Sequence, residues 1–151
     1  MNRRDLLIAV GVWSAGSLSA QRIGSVAAER IHAAIRECYR VWETGDAKRY
    51  SALLTADYML LEHVVPMNMD EDLKNGPPPP GSTRTDAFTF QATEIAGKVA
   101  YTYYFLDSVT VSPKETTLSR YLESAVLRRA KGSRWKVALV HSTHVENKKA
   151  D

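Results

Sequence analysis

The sequence predicts an α+β domain in which helices come first and a sheet of antiparallel strands follows. Helix-like spacing of apolar residues fills the stretch after residue 25, whereas four runs rich in Val, Tyr, Thr and Phe occupy the second half. The chain has 151 residues, 44% hydrophobic and 25% charged, as one globular domain does. Because strands joined by short turns pair antiparallel, the helices are expected to cover one face of a curled sheet.

The first twenty residues predict a secretory signal that precedes the fold. Arg3 and Arg4 form a basic start, residues 6–13 form an apolar run, and residues 17–20 supply small side chains for a signal peptidase. The apolar run is shorter than the roughly 20 residues that span a bilayer. No stable membrane span is therefore expected.

The paired arginines, followed by Asp5, Leu6 and Leu7, also resemble a twin-arginine export signal, which suits proteins that are exported already folded. An ordinary secretory signal or an uncut N-terminal anchor is the alternative. Cleavage after Ala20 would separate a signal of residues 1–20 from a single domain of residues 21–151. The expected location is periplasmic or secreted.

Two helices are expected at the start of the domain. The first runs from Ser25 to Glu43, because apolar side chains there recur at the i, i+3 and i+4 spacing of one helical face. Gly45 can end this helix. Asp46 is a good N-cap for a short second helix from Ala47 to Leu54, since its carboxylate can accept hydrogen bonds from unpaired backbone N–H groups.

The middle of the chain changes from a strand to a loop. A β-like apolar run extends from Tyr58 to Val65 until Pro66 interrupts it, and the polar segment of residues 67–75 is compatible with a helical turn. Residues 76–81 contain four consecutive prolines, which lack the N–H donor that a sheet or helix requires. This stretch is expected to be a surface loop.

The second half predicts four strands joined by hairpins. The strands are residues 87–95, 99–111, 118–129 and 135–145. Residues 96–98, 112–115 and 131–133 separate them and carry the Gly, Pro and Ser that turns favour. An antiparallel sheet of consecutive strands follows from this order.

Composition excludes several functional classes. Lys and Arg number 20 against 17 Asp and Glu, a net charge of +3, and the basic residues form no stripe, so nucleic acid is not an expected partner. Cys38 is the single cysteine, which rules out an intrachain disulfide. His141 and His144 lie three apart on one strand and face opposite sides, so no metal site is expected.

Several short motifs occur in a fixed order along the chain. They are Trp42, Gly45-Asp46, Leu53-Leu54, Ala56-Asp57-Tyr58, residues 97–101, residues 123–129, Gly132, and Trp135-Lys136-Val137 leading to His141-Ser142. In this order they resemble the nuclear transport factor two-like superfamily, especially its small SnoaL-like and kinase-association-type members. The resemblance covers residues 27–145. It implies a cystatin-like fold, a cone of curved antiparallel sheet closed by N-terminal helices, with an internal pocket, a dimeric state and no cofactor.

The departures from the family pattern bear on function. In the association domain of calcium/calmodulin-dependent kinase II, arginines line the pocket at the positions of Tyr103, Ala125 and Ser142 in this chain. Their absence implies a more apolar and aromatic pocket. The chain also lacks a clear match to the tyrosine and aspartic acid of ketosteroid isomerase and to the histidine-aspartate dyad of scytalone dehydratase.

The two-residue alternation of strands predicts which side chains line the pocket. With Tyr103, Ala125 and Ser142 placed inward by the resemblance, the same face would carry Tyr101, Phe105, Tyr121, Glu123, Leu127, Ala138, Val140 and His144. The opposite face would carry Trp135, Val137, Leu139 and His141. Because that face is also apolar, we expect it to be a homodimer surface.

Glu123 and His144 are the candidate catalytic residues. A carboxylate among tyrosines would be partly desolvated, which raises its pKa toward values useful for proton transfer, and an imidazole titrates near neutral pH. The alternatives are a structural carboxylate held by tyrosine hydroxyls or an arginine, and a strand-end histidine without a role. Candidate ligand-binding residues are Tyr39, Trp42, Tyr101, Tyr103, Tyr121 and Ser142, which could equally form ordinary core.

Two functional hypotheses follow. The first is an exported ligand-binding or assembly domain whose aromatic pocket takes a small apolar or aromatic molecule, or stays filled. The second is a SnoaL-like lyase, isomerase or cyclase in which Glu123 or His144 transfers a proton. A polar pocket group whose pKa is strongly shifted by burial would favour the second, and a cone without a cavity would favour the first.

Overall fold

The computed structural model describes residues 14–149 of the chain, with side chains from residue 26 to residue 145. Residues 1–13 hold the arginine pair and the apolar run of the predicted signal, and they lie outside the described residues. The signal and its cleavage stay predictions. Within the described part, no helix is both long enough and apolar enough to cross a membrane.

Three helices are present in the described part. They are α1 (Ser14–Trp42), α2 (Ala47–Leu53) and α3 (Met69–Asn75). Helix α1 begins before the expected start at Ser25, because no proline interrupts the preceding sequence. Asp46 caps α2 as expected, since its Oδ1 accepts a hydrogen bond from the backbone N–H of Arg49 at 3.0 Å.

The polar segment before the proline loop forms α3. Asn68 caps it by accepting from the backbone N–H groups of Asp70 and Glu71, and the Glu71 carboxylate accepts in return from the Asn68 N–H at 2.8 Å. This reciprocal capping box defines where the helix starts. The helix in turn fixes the side chain of Asp72, which faces the interior.

Six strands form one sheet. They are β1 (Leu54–Glu62), β2 (Val65–Met67), β3 (Thr83–Ala96), β4 (Val99–Val111), β5 (Thr116–Arg129) and β6 (Trp135–Lys149). Their order is β2-β1-β6-β5-β4-β3. All neighbours pair antiparallel except β1 and β6, which are parallel, so the expected α+β architecture is confirmed with one parallel pair added.

Strand β1 differs from its predicted bounds. It begins at Leu54 rather than Tyr58, and it ends at Glu62 because His63 and Val64 adopt φ angles of +46° and +69°. These two residues form a tight turn that returns the chain into β2, where Val65 pairs with Glu62. Because β1 also pairs with β6, the first and last strands of the domain lie side by side in the sheet.

The core lies between α1 and the inner face of the sheet. Ile31, Ile35 and Val41 recur at helical spacing on α1 and are at most 1% exposed. They belong to one apolar cluster with residues of β4, β5 and β6, including Tyr104 and Leu127. Burial of this face orients α1 over the sheet.

Strand β4 has the opposite phase to the predicted one. Thr102, and not Tyr103, pairs with the inward-facing Ala125, and directly paired residues share a face of the sheet. The inward assignment of Tyr101, Tyr103 and Phe105 is therefore wrong. Tyr101 and Tyr103 are 48% and 43% exposed. A shift of one residue moves every side chain of a strand to the other face.

A bulge in β6 corrects a second assignment. The register shifts after Val137, which pairs with Leu127, so that Leu139 pairs with Val126. Val137 and Trp135 consequently lie in the core, and their predicted outward orientation is wrong. Leu139 lies on the outer face as predicted, since its partner Val126 has the opposite phase to the buried Leu127.

Candidate ligand-binding cavity

A cavity of about 330 Å³ opens between α1, α3 and the inner face of the sheet. Its aromatic wall consists of Tyr39, Trp42, Tyr50, Tyr58 and Tyr121. The volume falls within the range of small-molecule sites, about 300–1,000 Å³. The interior of the domain is therefore not filled by its own side chains.

Glu123 occupies the buried end of this cavity and is 4% exposed. The pairing of β5 with β6 sets it beside Ser142, whose Oγ donates a hydrogen bond to Glu123 Oε1 at 2.9 Å. The Tyr39 hydroxyl on α1 donates to Oε2. Burial raises the pKa of Glu123 above its usual range, and the hydroxyls of Tyr39, Ser142 and Tyr104 oppose this effect only in part.

A third hydroxyl stands next to this carboxyl. Tyr104 on β4 is fully buried, and its Oη has no hydrogen bond of good geometry although it lies against Glu123 and Tyr39. Burial raises the pKa of Tyr104, so the phenol keeps its proton. A third hydroxyl, outside the cavity wall, therefore adjoins the Glu123 carboxyl without a well-formed hydrogen bond.

Asp72 forms a different kind of carboxylate site on the α3 side of the cavity. Its Oδ1 accepts from Trp42 Nε1 at 2.8 Å, and its Oδ2 accepts from the hydroxyls of Tyr50 at 2.7 Å and Tyr58 at 3.0 Å. These bonds tie α3 to α1, α2 and β1. Burial raises the pKa of both tyrosines, so they stay protonated donors.

Arg84 is the only arginine or lysine in the cavity wall among the side chains of residues 26–145. Its Nε donates to Asp86 Oδ1 and its Nη2 donates to Ser108 Oγ, each at 2.8 Å. The guanidinium carbon lies 5.1 Å from the centre of the Trp42 ring, a cation–π distance. Its charge lowers the pKa of Glu123, but less than the hydroxyl donors do.

The β1–β2 turn forms the entrance. His63, Val65 and Met67 line the cavity there. The His63 ring centre lies 6.2 Å from that of His144, which in turn is 5.2 Å from that of Tyr121. His144 is paired with Tyr121 and shares its face of the sheet, as predicted, but it is not one of the residues that line the cavity.

Close packing holds the Trp42 wall in place. Gly76 follows α3, and a Cβ atom added to it would lie 2.3 Å from Trp42 Cζ2. Only a residue without a side chain fits at this contact. Gly76 therefore allows α3 to approach the indole ring.

The structure brings together most of the predicted site residues. Tyr39, Trp42, Tyr121, Glu123 and Ser142 line one cavity. Tyr101 and Tyr103 do not, because β4 has the opposite phase, and His144 contacts the wall from outside. No cluster that could hold a metal ion occurs among the described side chains.

Sequence reasoning missed three residues of this site. Asp72 lies in a segment that reads as polar surface, and only its enclosure by three aromatic donors reveals its role. Arg84 precedes the predicted start of its strand at residue 87, so its orientation was not assigned. The predicted phase of β4 places Tyr103 rather than Tyr104 on the inner face, whereas the buried residues of the strand are Thr102 and Tyr104.

The chain resembles known proteins in its structure. No protein-family model and no curated protein sequence matches the chain. The CaMKII hub homology domain of C. reinhardtii superposes with a TM-score of 0.67 at 16% identity, over 80% of this chain and 99% of that one. An NTF2-like superfamily protein from Salmonella enterica matches with a TM-score of 0.67 at 15% identity, over 82% and 94% of the two chains.

A ketosteroid isomerase-like protein from Erwinia carotovora also matches, with a TM-score of 0.60 at 16% identity, over 77% of this chain and 94% of that one. The chain has the nuclear transport factor 2-like fold. The predicted superfamily resemblance is thus confirmed at the level of the fold. At these identities the comparisons carry no activity over to this chain.

Proposed function

We propose that this NTF2-like chain binds a small, largely aromatic or apolar molecule in the cavity. The observation that carries the proposal is an open space of about 330 Å³ with five aromatic residues in its wall and Glu123 at its buried end. Aromatic rings supply apolar contact area, and a single polar group at the end of a cavity orients the ligand. Glu123, Tyr39 and Ser142 are the expected polar contacts.

A thermal-shift screen of small ketones, aromatic acids and quinones tests this proposal. A bound molecule is expected to raise the unfolding temperature, and Met67→Trp at the entrance is expected to abolish the shift. Met59→Trp is the matched control, because Met59 lies on β1 but outside the cavity wall. A shift that persists in Met67→Trp, or no ligand from a broad screen, would contradict the proposal.

Proton transfer by Glu123 is the second candidate function, in the manner of a lyase, isomerase or cyclase. It is favoured by a specific observation, the raised pKa of a carboxyl buried beside the unpaired hydroxyl of Tyr104. A carboxyl with a raised pKa exchanges protons more effectively near neutral pH, and a phenol can polarise a carbonyl. His144 is the weaker candidate, since it contacts Tyr121 but does not line the cavity.

Exchange of α-protons for deuterium in small ketones, followed by NMR, tests proton transfer without knowledge of the substrate. Replacing Glu123 with glutamine is expected to slow the exchange by about a hundredfold or more, the usual contribution of a general base. The matched control Glu94→Gln, an exposed carboxylate outside the cavity, should leave the rate unchanged, whereas a loss in His144→Gln alone would assign the role to the histidine. Equal rates in wild type and Glu123→Gln would exclude this role.

Homodimerisation through the outer sheet face belongs to the same proposal. Tyr101, Tyr103 and Leu122 expose 48%, 43% and 39% of their surface there, a patch that a monomer would leave in water. The structural similarity to a CaMKII hub homology domain also supports self-association of this chain. Sedimentation is expected to give twice the 16.8 kDa chain mass, and Tyr103→Glu with Leu122→Glu should give monomers. A monomeric wild type would overturn this part.

Export completes the proposal and rests on the sequence alone. Replacing Arg3 and Arg4 together with lysine should block a twin-arginine route, which reads the pair itself, and spare a general secretory route, which needs only positive charge. Fractionation of cells that express the two forms measures this. Unchanged export of the variant would favour the general route, and cytoplasmic retention of the wild type would contradict export.

A further inference from the structure

The cavity contains an imbalance of charge. Its wall includes the carboxylates of Glu62, Asp72 and Glu123 but a single guanidinium, Arg84. That guanidinium already faces Asp86 at 2.8 Å and rests on the Trp42 ring. The space available to a ligand is therefore bordered by more negative than positive groups.

Neither buried carboxylate of the wall has a cationic partner. Asp72 and Glu123 are each 4% exposed, yet all their hydrogen-bond donors are hydroxyls or the indole N–H, and the ion pairs of the described side chains include neither. Buried charges in proteins are normally paired. Asp72 is compensated by three donors, whereas Glu123 has two and keeps capacity to accept more.

The orphaned hydroxyl of Tyr104 is an independent sign of an incomplete site. It is fully buried and interacts with Glu123, but its Oη makes no hydrogen bond of good geometry. A buried hydroxyl without a well-formed hydrogen bond is unfavourable. The ionised Glu123 carboxylate would be a stronger acceptor for the Tyr104 hydroxyl than the protonated acid. A positive charge placed beside Glu123 stabilises its ionised form.

We propose that the ligand of this cavity is a small organic cation, an aromatic or apolar body carrying an ammonium group that pairs with Glu123. This proposal rests on the proposed ligand-binding function and names the class of ligand. Tyr39, Trp42 and Tyr121 present electron-rich rings to the same space, and such rings attract cations. A carboxylate ligand would instead meet Glu123 and Asp72 and depend on Arg84 alone.

Three probes of similar shape and different charge test the proposal by calorimetry and thermal shift at neutral pH. They are phenethylamine as the cation, 2-phenylethanol as the neutral body and phenylacetate as the anion. The cation is expected to bind wild type at least tenfold more tightly than the neutral alcohol, and the anion more weakly than both. In Glu123→Gln the cation and the alcohol should bind equally.

The comparison of two probes within one variant is independent of any change in folding that Glu123→Gln causes. The matched control is Glu94→Gln, an exposed carboxylate on β3 outside the cavity, which should keep the full preference for the cation. Equal binding of all three probes to wild type would overturn the charge assignment and leave the ligand-binding function standing. Preference for phenylacetate that disappears in Arg84→Gln would also overturn it. Failure of all three probes, together with an empty broad screen, would count against both proposals.

Discussion

Glu123 and Asp72 are two buried carboxylates of the same cavity with different surroundings. Asp72 accepts hydrogen bonds from Trp42, Tyr50 and Tyr58, which belong to three different elements. Glu123 accepts from two hydroxyls and lies beside a third that is unpaired. The difference indicates that Asp72 holds the cavity together, whereas Glu123 is the group left available to a ligand.

Removing the charge of Asp72 should have the largest effect on stability. In Asp72→Asn the amide nitrogen replaces an acceptor, so at least one of the three aromatic donors loses its partner in a buried site. An unsatisfied buried group costs about 1–3 kcal/mol, and more where a charged acceptor is lost. Chemical denaturation is expected to give a loss at the upper end of this range. A loss no larger than that of Glu123→Gln would break the contrast between the two carboxylates.

Substitution of Gly76 tests the wall that Asp72 supports. Its backbone φ of −100° suits any residue, so Gly76→Ala acts through the contacts of the added Cβ with the Trp42 ring and with the backbone oxygen of Asp72. Crowding of this kind typically costs about 1–3 kcal/mol. We expect a shift in Trp42 fluorescence together with the lower stability. Gly97→Ala is a poor control because the φ angle of Gly97 is positive. Ala92→Gly on β3 is the control, since it changes a single methyl group away from Trp42.

Glu123→Gln should change stability less and in a pH-dependent way. Because the pKa of Glu123 is raised in the folded state, the folded protein holds this proton more tightly than the unfolded chain does. The contribution of Glu123 to the free energy of unfolding is therefore complete below the unfolded pKa, about 4.3, and it is lost as the pH rises through the folded pKa. Glutamine does not titrate. The stability of the variant relative to wild type should therefore increase with pH across this interval. A relative stability that decreases with pH would contradict the raised pKa.

Tyr104→Phe should have the smallest effect. The substitution removes a buried hydroxyl that makes no hydrogen bond of good geometry, so stability should change by less than about 1 kcal/mol and in either direction. Tyr39→Phe removes a hydroxyl that does bond to Glu123 and should cost more. Equal losses in denaturation experiments would show that the two hydroxyls are equivalent.

The sequence was sufficient for the fold because helical and strand periodicities dominate it. The strand from Val99 to Val111 and the cap at Asp46 follow directly from turn and capping residues. The orientation of Glu123 followed from alternation along β5. The orientation of β4 did not, since tyrosines occur at both phases, and a pattern that is apolar on both faces does not fix its register.

Other parts of the site depend on contacts between distant segments. Trp42 and Asp72 are 30 residues apart, and Tyr39 and Glu123 are 84 apart, so neither pair leaves a local signal. The bulge that turns Val137 inward likewise follows from the pairing with β5. Residue types alone therefore predicted Tyr39, Trp42 and Tyr121 of the aromatic wall, but neither Tyr50 and Tyr58 nor the hydrogen bonds that organise the cavity.

The central claim is that Glu123 is a buried, ligand-accessible carboxyl, and titration of the glutamate side-chain carboxyl carbons by ¹³C NMR tests it most directly. We predict a resonance that titrates above the usual glutamate range, that is absent from Glu123→Gln, and whose titration moves to lower pH when phenethylamine is added. Glu43, whose pKa burial also raises, should keep its signal in that variant. Titration of every glutamate in its usual range, unaffected by the amine, would contradict the account.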